Sequence, residues 1–309
     1  MHLPFTFGAS SHANTDSALS IGTSSGFGKR LVKSILARGD YVIATVRALD
    51  RFQIPLSDEE RCRVHVLVFD LADTHENIQK LAAKAAGLWG RIDVLVNNAG
   101  VAPKSLLEEL GESTLSSAFQ TNFFGVLNLT NAILPYMRAR RSGTVVFMGS
   151  RSVFKPDMPL TGAYVASKAA LHGAAETYSS ELKPFGVRVL IACFGGFRTE
   201  GIHIAPVTVD NPAPGLDDFR QKAIHSFDGA WERAPGDPDK AMEVLVDAVR
   251  GEGKAKGRDL PLYLFIGGPT YTATREHCRM LLKSMDEWED VAKDLDFDCA
   301  APVEAPSHG

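Results

Sequence analysis

From about residue 18 to residue 195 the chain alternates short, β-rich apolar runs with longer helical patterns. The runs are Tyr41–Val46, Val64–Phe69, Val94–Val96, Thr144–Met148 and Val187–Cys193. Helical spacing fills roughly 27–38, 74–88, 113–138 and 164–184. Strands that are apolar almost without interruption belong to a parallel sheet covered on both faces. Parallel neighbours need crossover connections, the helical stretches supply them, and right-handed crossovers wind the sheet outward from its middle. The pattern predicts an α/β fold: a single doubly wound parallel sheet with helices on both faces.

Residues 200–236 break the alternation. They hold Pro206, Pro212, Pro214 and Pro235 and one helical pattern near 216–227. A stretch of this length reads as an insertion over the sheet and a candidate pocket wall, with Phe219, Phe227 and Trp231 as apolar lining. Asp237 and Pro238 mark the start of a helix over about 237–250, as N-cap and first-turn residue. Leu260–Ile266 reads as a last strand, and about 270–292 as a long amphipathic helix. One domain over 18–297 is expected, with a poorly ordered extension at 1–17 and a polar tail at 298–309. The first strand is the weakest expectation. Thr15–Ile21 has few aliphatic residues, so either the strand is short or the natural N-terminus differs from this chain.

Composition narrows the partners. The net charge of −4 is spread along 309 residues, with no basic tract for nucleic acid or a membrane surface. No run approaches the roughly 18 apolar residues of a membrane span, and the first residues lack a signal-peptide core, so a cytoplasmic protein is expected. Cys62, Cys193, Cys278 and Cys299 form no C-x-x-C pair and share no metal-like spacing with histidine; no metal is expected.

The segment Gly22-Thr23-Ser24-Ser25-Gly26-Phe27-Gly28 stands between an apolar stretch and a helix, with the spacing G-x-x-x-G-x-G. Glycines there permit positive φ and let backbone approach a pyrophosphate, while the following helix offers free N–H groups and a positive dipole end. Strand two ends at Val46-Arg47 with no acid to hold a ribose 2′-hydroxyl. Arg47 suits a 2′-phosphate instead, which favours NADP(H) over NAD(H). Asp70, ending the third run, either accepts from an adenine amino group or, like Asp73, caps the next helix.

Tyr164 and Lys168 stand four residues apart at the start of an alanine-rich helix and so share one face. A tyrosine with its ordinary pKa near 10 is a poor acid–base at neutral pH, and a nearby ammonium is expected to lower it.

Taken together, five motifs in order resemble the short-chain dehydrogenase/reductase family: the glycine loop at 22–28, Asn97-Asn98-Ala99-Gly100, Asn122, Gly149-Ser150, and Tyr164 with Lys168. The similarity covers roughly 18–200, and residues 236–297 follow the general pattern of fungal-type members. The resemblance implies a Rossmann-type oxidoreductase that interconverts a carbonyl and an alcohol on an apolar small molecule, in the setting of secondary metabolism. It implies Tyr164 as proton donor or acceptor, Lys168 as its tuner and ribose ligand, a serine that polarises the carbonyl, and Asn122 as holder of a relay water. It also implies that Asn97, Ala99 and Gly100 line the adenosine ribose and that Thr199 meets the carboxamide. A homodimer or homotetramer through the helices at 113–138 and 164–184 is implied too. Arg151 occupies the family's usual serine position, and the Gly149-Ser150 pairing at the strand end favours Ser150 over Ser152 for that role, while Phe194-Gly195-Gly196 replaces the usual Pro-Gly. Two other readings stay open: a catalytically weak NADP-binding module, and an epimerase or dehydratase on the same scaffold.

Overall fold

The computed structural model describes residues 15–200 and 205–296. Its strands are β1 (Ser17–Ser20), β2 (Tyr41–Val46), β3 (Val64–Val68), β4 (Val94–Asn97), β5 (Gly143–Ser150), β6 (Val187–Phe194) and β7 (Tyr263–Ile266). They form one parallel sheet in the order β3-β2-β1-β4-β5-β6-β7. The helices are α1 (Gly26–Ala37), the four-residue α2 (Asp58–Arg61), α3 (His75–Leu88), α4 (Glu112–Phe119), α5 (Gly125–Arg140), α6 (Gly162–Leu182), α7 (Asp217–Glu232), α8 (Pro238–Arg250) and α9 (Gly268–Ala292).

The two-residue period of each strand divides the core. Leu19, Ile43, Leu95, Phe147 and Ile191 face α3, α5 and α6 through Ile78, Leu129, Ile133 and Leu171. Their neighbours Ala18, Val42, Val96, Val146 and Leu190 face α1 and α8 through Leu31, Val32, Met242 and Leu245. The register places Leu19 beside Ile43 and Leu95, so each apolar layer runs straight across the sheet. Strand order reverses between β1 and β4, and ligands of such sheets bind at that switch, beyond the carboxyl ends of the strands.

β1 is central despite its composition. Its Ser17 and Ser20 hydroxyls are buried and without a hydrogen-bond partner among the described residues, so the strand is held mainly by its ladders and by Ser17 N–H donating to Asp93 at 2.9 Å. Two further readings change. The helical pattern at 113–138 is interrupted: α4 and α5 are joined by a π-helical turn, Gln120–Phe124. The N-cap of α3 is Thr74, not Asp70 or Asp73; Asp70 instead accepts from Ala72 N–H at 3.0 Å in the turn before it. Asp237 does cap α8, accepting from Asp239 and Lys240 N–H.

The insertion is tied down on the described side of residue 205. Thr208 N–H donates to the Lys104 carbonyl at 2.8 Å, and Arg220 on α7 donates to buried Glu109 at 2.7 Å. Phe227 is buried with Leu106, Leu160 and Ala223, whereas Phe219 is half exposed. The Trp231 side chain, Cys299, the extension at 1–14, residues 201–204 and the tail lie outside the described residues.

Candidate active site

The first turns of α6 carry Tyr164, Lys168 and, four residues further, His172 on one face toward β5 and β6. Lys168 is buried, and its Nζ donates to the Met148 carbonyl on β5 at 2.8 Å. That ammonium lies 5.9 Å from the Tyr164 ring centre. Burial draws Lys168 down to about 8. The effect on the tyrosine differs from the expectation. Burial raises the half-buried Tyr164 phenol, opposed by a hydrogen bond from the Ser150 side chain. With Lys168 turned onto Met148, desolvation decides the sign.

Ser150 ends β5 and is buried. It is the serine bonded to the phenol, while Ser152 stands beside it with its hydroxyl 2.7 Å from that of Ser150. Ser150 N–H donates to His172 Nε2 at 3.3 Å. Burial takes His172 down to about 4, so the ring is neutral and carries its proton on Nδ1. Cys193 Sγ lies 3.9 Å from the same Nε2, and burial pushes that thiol up to about 12. Gly149 makes the approach of His172 possible, since a Cβ there would sit 2.5 Å from Nε2. Sequence reading missed His172; its signal was the continuation of the Tyr164–Lys168 spacing by four more residues.

Asn122 lies fully buried in the π turn. Its Oδ1 accepts from Val101 N–H and its Nδ2 donates to the Val101 carbonyl, both at 2.8 Å, and Nδ2 also donates to Ser167 Oγ at 2.9 Å. Ser167 Oγ in turn donates to the Tyr164 carbonyl at 2.8 Å, so Asn122 joins the loop after β4 to the first turn of α6. A Cβ at Gly100 would come within 3.2 Å of Asn122 Oδ1 and 3.7 Å of Lys168 Nζ.

The glycine loop wraps the carboxyl end of β1. Gly22 and Gly26 have φ of 76° and 56°, and a Gly22 Cβ would stand 2.8 Å from that of Ala99. Gly28 packs directly on the Gly22 carbonyl, which leaves no room for a side chain. Asn98 Nδ2 donates to the Ile21 and Gly22 carbonyls, each at 2.9 Å, and so pins the loop. Asn97 points away, donating to Thr130 at 3.1 Å. Phe27 does not face the crevice freely: it packs on Phe194 with ring centres 4.5 Å apart and on Phe197 at 5.6 Å, which is where the unusual Phe194 finds its place. Ser24 and Ser25 are exposed at the tip, and the Ser25 hydroxyl makes no capping bond.

An oxyanion already rests on this loop. Gly26 N–H donates to Glu200 Oε2 at 3.2 Å, and Arg30 grips the same carboxylate with two bonds of 2.7 and 2.9 Å. The Arg30 hydrogen bonds hold Glu200 down to about 2. Thr199, beside it, lies against Gly26. The start of α1 therefore accepts anionic oxygens, as a diphosphate requires. Arg47 is exposed just beyond β2, and Asp70 is exposed beyond β3.

A doubly wound sheet with a glycine loop at its switch point, and Ser150, Tyr164 and Lys168 across the crevice, defines a protein of the Rossmann-type class. Comparison with known proteins agrees. The family described as short chain dehydrogenase matches residues 16–204, and the chain belongs to that family. It is 34% identical over 178 residues to a 3-ketodihydrosphingosine reductase of Bacteroides thetaiotaomicron, covering 58% of this chain and 62% of that one. The chain thus spans a little under two thirds of that relative's length. A fungal relative, Oxidoreductase BOA17 of Botryotinia fuckeliana, is 26% identical over 277 residues, covering 88% of this chain and 96% of its own. The crystal structure of a short-chain dehydrogenase from Streptomyces avermitilis superposes with a TM-score of 0.78 at 32% identity, over 92% of this chain and all of that one.

Proposed function

We propose that the protein is an NADP(H)-dependent reductase of a ketone or aldehyde on an apolar small molecule, working reversibly on the alcohol. The observation that carries this reading is the convergence of Ser150, Tyr164 and Lys168 beside Gly100 at the mouth of the sheet. The nicotinamide, when bound, supplies or accepts the hydride. Ser150 donates a hydrogen bond to the substrate oxygen, and Tyr164 gives that oxygen a proton as it becomes an alcohol. A phenol raised by burial stays protonated at neutral pH, the state a proton donor to a carbonyl needs. Lys168 keeps a positive charge under the reacting groups, and Asn122 fixes the turn that carries them. Gly22, Gly26 and Gly28, with Ser24, Ser25 and the α1 amides, form the diphosphate cradle. Asn97, Ala99, Gly100 and Asp70 line the adenosine side, Phe27 buttresses the loop from behind, and Thr199 closes over it.

The preference for NADP(H) rests on Arg47 and on the absence of an acid at the end of β2. The substrate class rests on the apolar wall of Leu106, Leu160 and Phe227 under α7, and fits a relative named as a 3-ketodihydrosphingosine reductase. Titration of both cofactors into wild type and Arg47→Ala tests the first point. Loss of a charge-assisted phosphate contact is expected to weaken NADPH by about 1.5–3 kcal/mol and leave NADH nearly unchanged. A wild-type preference for NADH, or equal weakening of both, contradicts it. Steady-state NADPH oxidation with a panel of apolar ketones and aldehydes tests the second.

A further inference from the structure

α9 leaves the body of the molecule partway along its 25 residues. Thr270, Ala273 and Thr274 are buried and His277 is half-buried, but every residue from 278 to 296 is exposed. The sequence of that overhang is not that of a solvated helix. Leu281, Met285 and Trp288, at spacings of four and three, are 48%, 66% and 61% exposed, and Met280, Leu282 and Val291 widen the stripe on either side. Helical geometry makes this stripe the continuation of the line Thr270–Thr274–His277 that seats α9 on the body. The helix therefore carries its buried face past the edge of the body, with nothing described beneath it.

The uncovered apolar surface is on the order of several hundred Å², the scale of one partner's share of a standard interface, about 800 Å². An isolated helix of about 12–15 residues is marginal in water, so the overhang gains its order when the stripe is covered. Charge along the helix says by what. Arg275, Arg279 and Lys283 precede Ser284, where the one acid, Glu276, is tied to Lys155 of the body at 3.5 Å, and Asp286, Glu287, Glu289 and Asp290 follow it. The exposed Lys283–Glu287 pair within the helix, at 3.5 Å, is too weak to cancel that division. Two such helices placed parallel set like charge against like. Placed antiparallel about a two-fold axis near Ser284 and Met285, they set the basic half of each beside the acidic half of the other while the apolar stripes meet. A membrane surface fits less well, because helices that lie on anionic bilayers carry mainly Lys and Arg on the polar face, and here four acids flank Met285 and Trp288.

We propose that α9 is a self-association surface, packing antiparallel against α9 of a second copy of this chain. This contact is separate from the helices α4, α5 and α6 around which the family resemblance places an oligomer.

Sedimentation velocity on the full chain at micromolar concentration tests it, with Met285→Glu/Trp288→Glu as the comparison. The wild type is expected to sediment as a larger assembly than the double variant, a dimer against a monomer where α9 is the contact between copies, while far-UV circular dichroism and NADPH titration show the variant folded. Equal masses overturn the proposal. Direction is read by mild oxidation and peptide mapping: Ser284→Cys, near the two-fold axis, should cross-link between chains, and Cys278 should not join its own counterpart. Efficient Cys278–Cys278 bonding requires parallel helices and overturns the antiparallel arrangement. Flotation with phosphatidylserine-containing vesicles should leave the wild type unbound; binding that the double variant abolishes makes the stripe a membrane contact instead.

Discussion

At the scale of single residues, the site depends on groups that hold the reacting ones in place. Ser150 meets the phenol because its own N–H is received by His172, a buried neutral ring with no other described partner for Nδ1. Removing that acceptor leaves the buried Ser150 N–H only the weakly accepting Cys193 sulfur, a cost of up to about 1–3 kcal/mol that falls on the geometry of Ser150. His172→Leu is expected to lower turnover roughly tenfold or more with NADPH affinity unchanged, and His172→Gln, which restores an acceptor, to recover part of it. Steady-state turnover alongside cofactor titration reads both. Unchanged turnover in the leucine variant would show that Ser150 needs no such support. Lys168 makes a second, pH-dependent statement. Its pKa is depressed by burial to about 8, so its charge is present below that pH and lost above it. The kcat/KM for carbonyl reduction, which reports the free enzyme, is expected to fall as pH rises through about 8. A profile flat to pH 10 contradicts the role given to that charge.

At the scale of elements, the loop after β6 and the start of α1 are locked together by Glu200, Gly26 and Arg30. In the proposed cradle the Glu200 carboxylate occupies the Gly26 N–H that a diphosphate oxygen would take, so it is expected to compete with the cofactor. Glu200→Gln removes the charge and weakens the grip of Arg30. Isothermal titration is expected to show NADPH binding several-fold tighter, up to about tenfold or 1.4 kcal/mol; equal or weaker binding contradicts the competition. The same contact shows why some elements were legible in the sequence and others were not. β2, β5 and β6 announce themselves through runs rich in β-branched and aliphatic residues, and α8 through Asp237 and Pro238, because these signals are local. The Glu200–Gly26 bond joins residues 174 positions apart, and no local pattern reports it. The π turn at Gln120–Phe124 was invisible for a related reason. Helical spacing passes through it undisturbed, and what widens the turn is Asn122 reaching back to Val101.

At the scale of the whole molecule, the sheet does most of the positioning. Reversal of strand order between β1 and β4 opens the crevice, the glycine loop forms one lip, and the ends of β5 and β6 with α6 form the other. The doubly wound architecture could be read from alternation alone. β1 could not, since Ser17 and Ser20 carry no strand signal and owe their place to flanking strands already fixed by their own apolar residues. The catalytic grouping was half legible. Spacing joined Tyr164 to Lys168 and the Gly149-Ser150 pairing pointed to Ser150, but the direction of the tyrosine shift needed the burial that only the folded molecule supplies.

In the proposed reaction the Tyr164 hydroxyl transfers the proton. Tyr164→Phe keeps the ring and removes only the hydroxyl, so the most direct measurement is single-turnover reduction of a competent ketone by NADPH in this variant, alongside the Kd for NADPH. The Kd is expected to stay within a few-fold of wild type while the chemical step slows by about 10²–10⁴-fold, the usual share of general acid–base catalysis. Retention of most of the wild-type rate with a normal Kd would contradict it and leave the chain a cofactor-binding member of its family whose proton donor lies elsewhere.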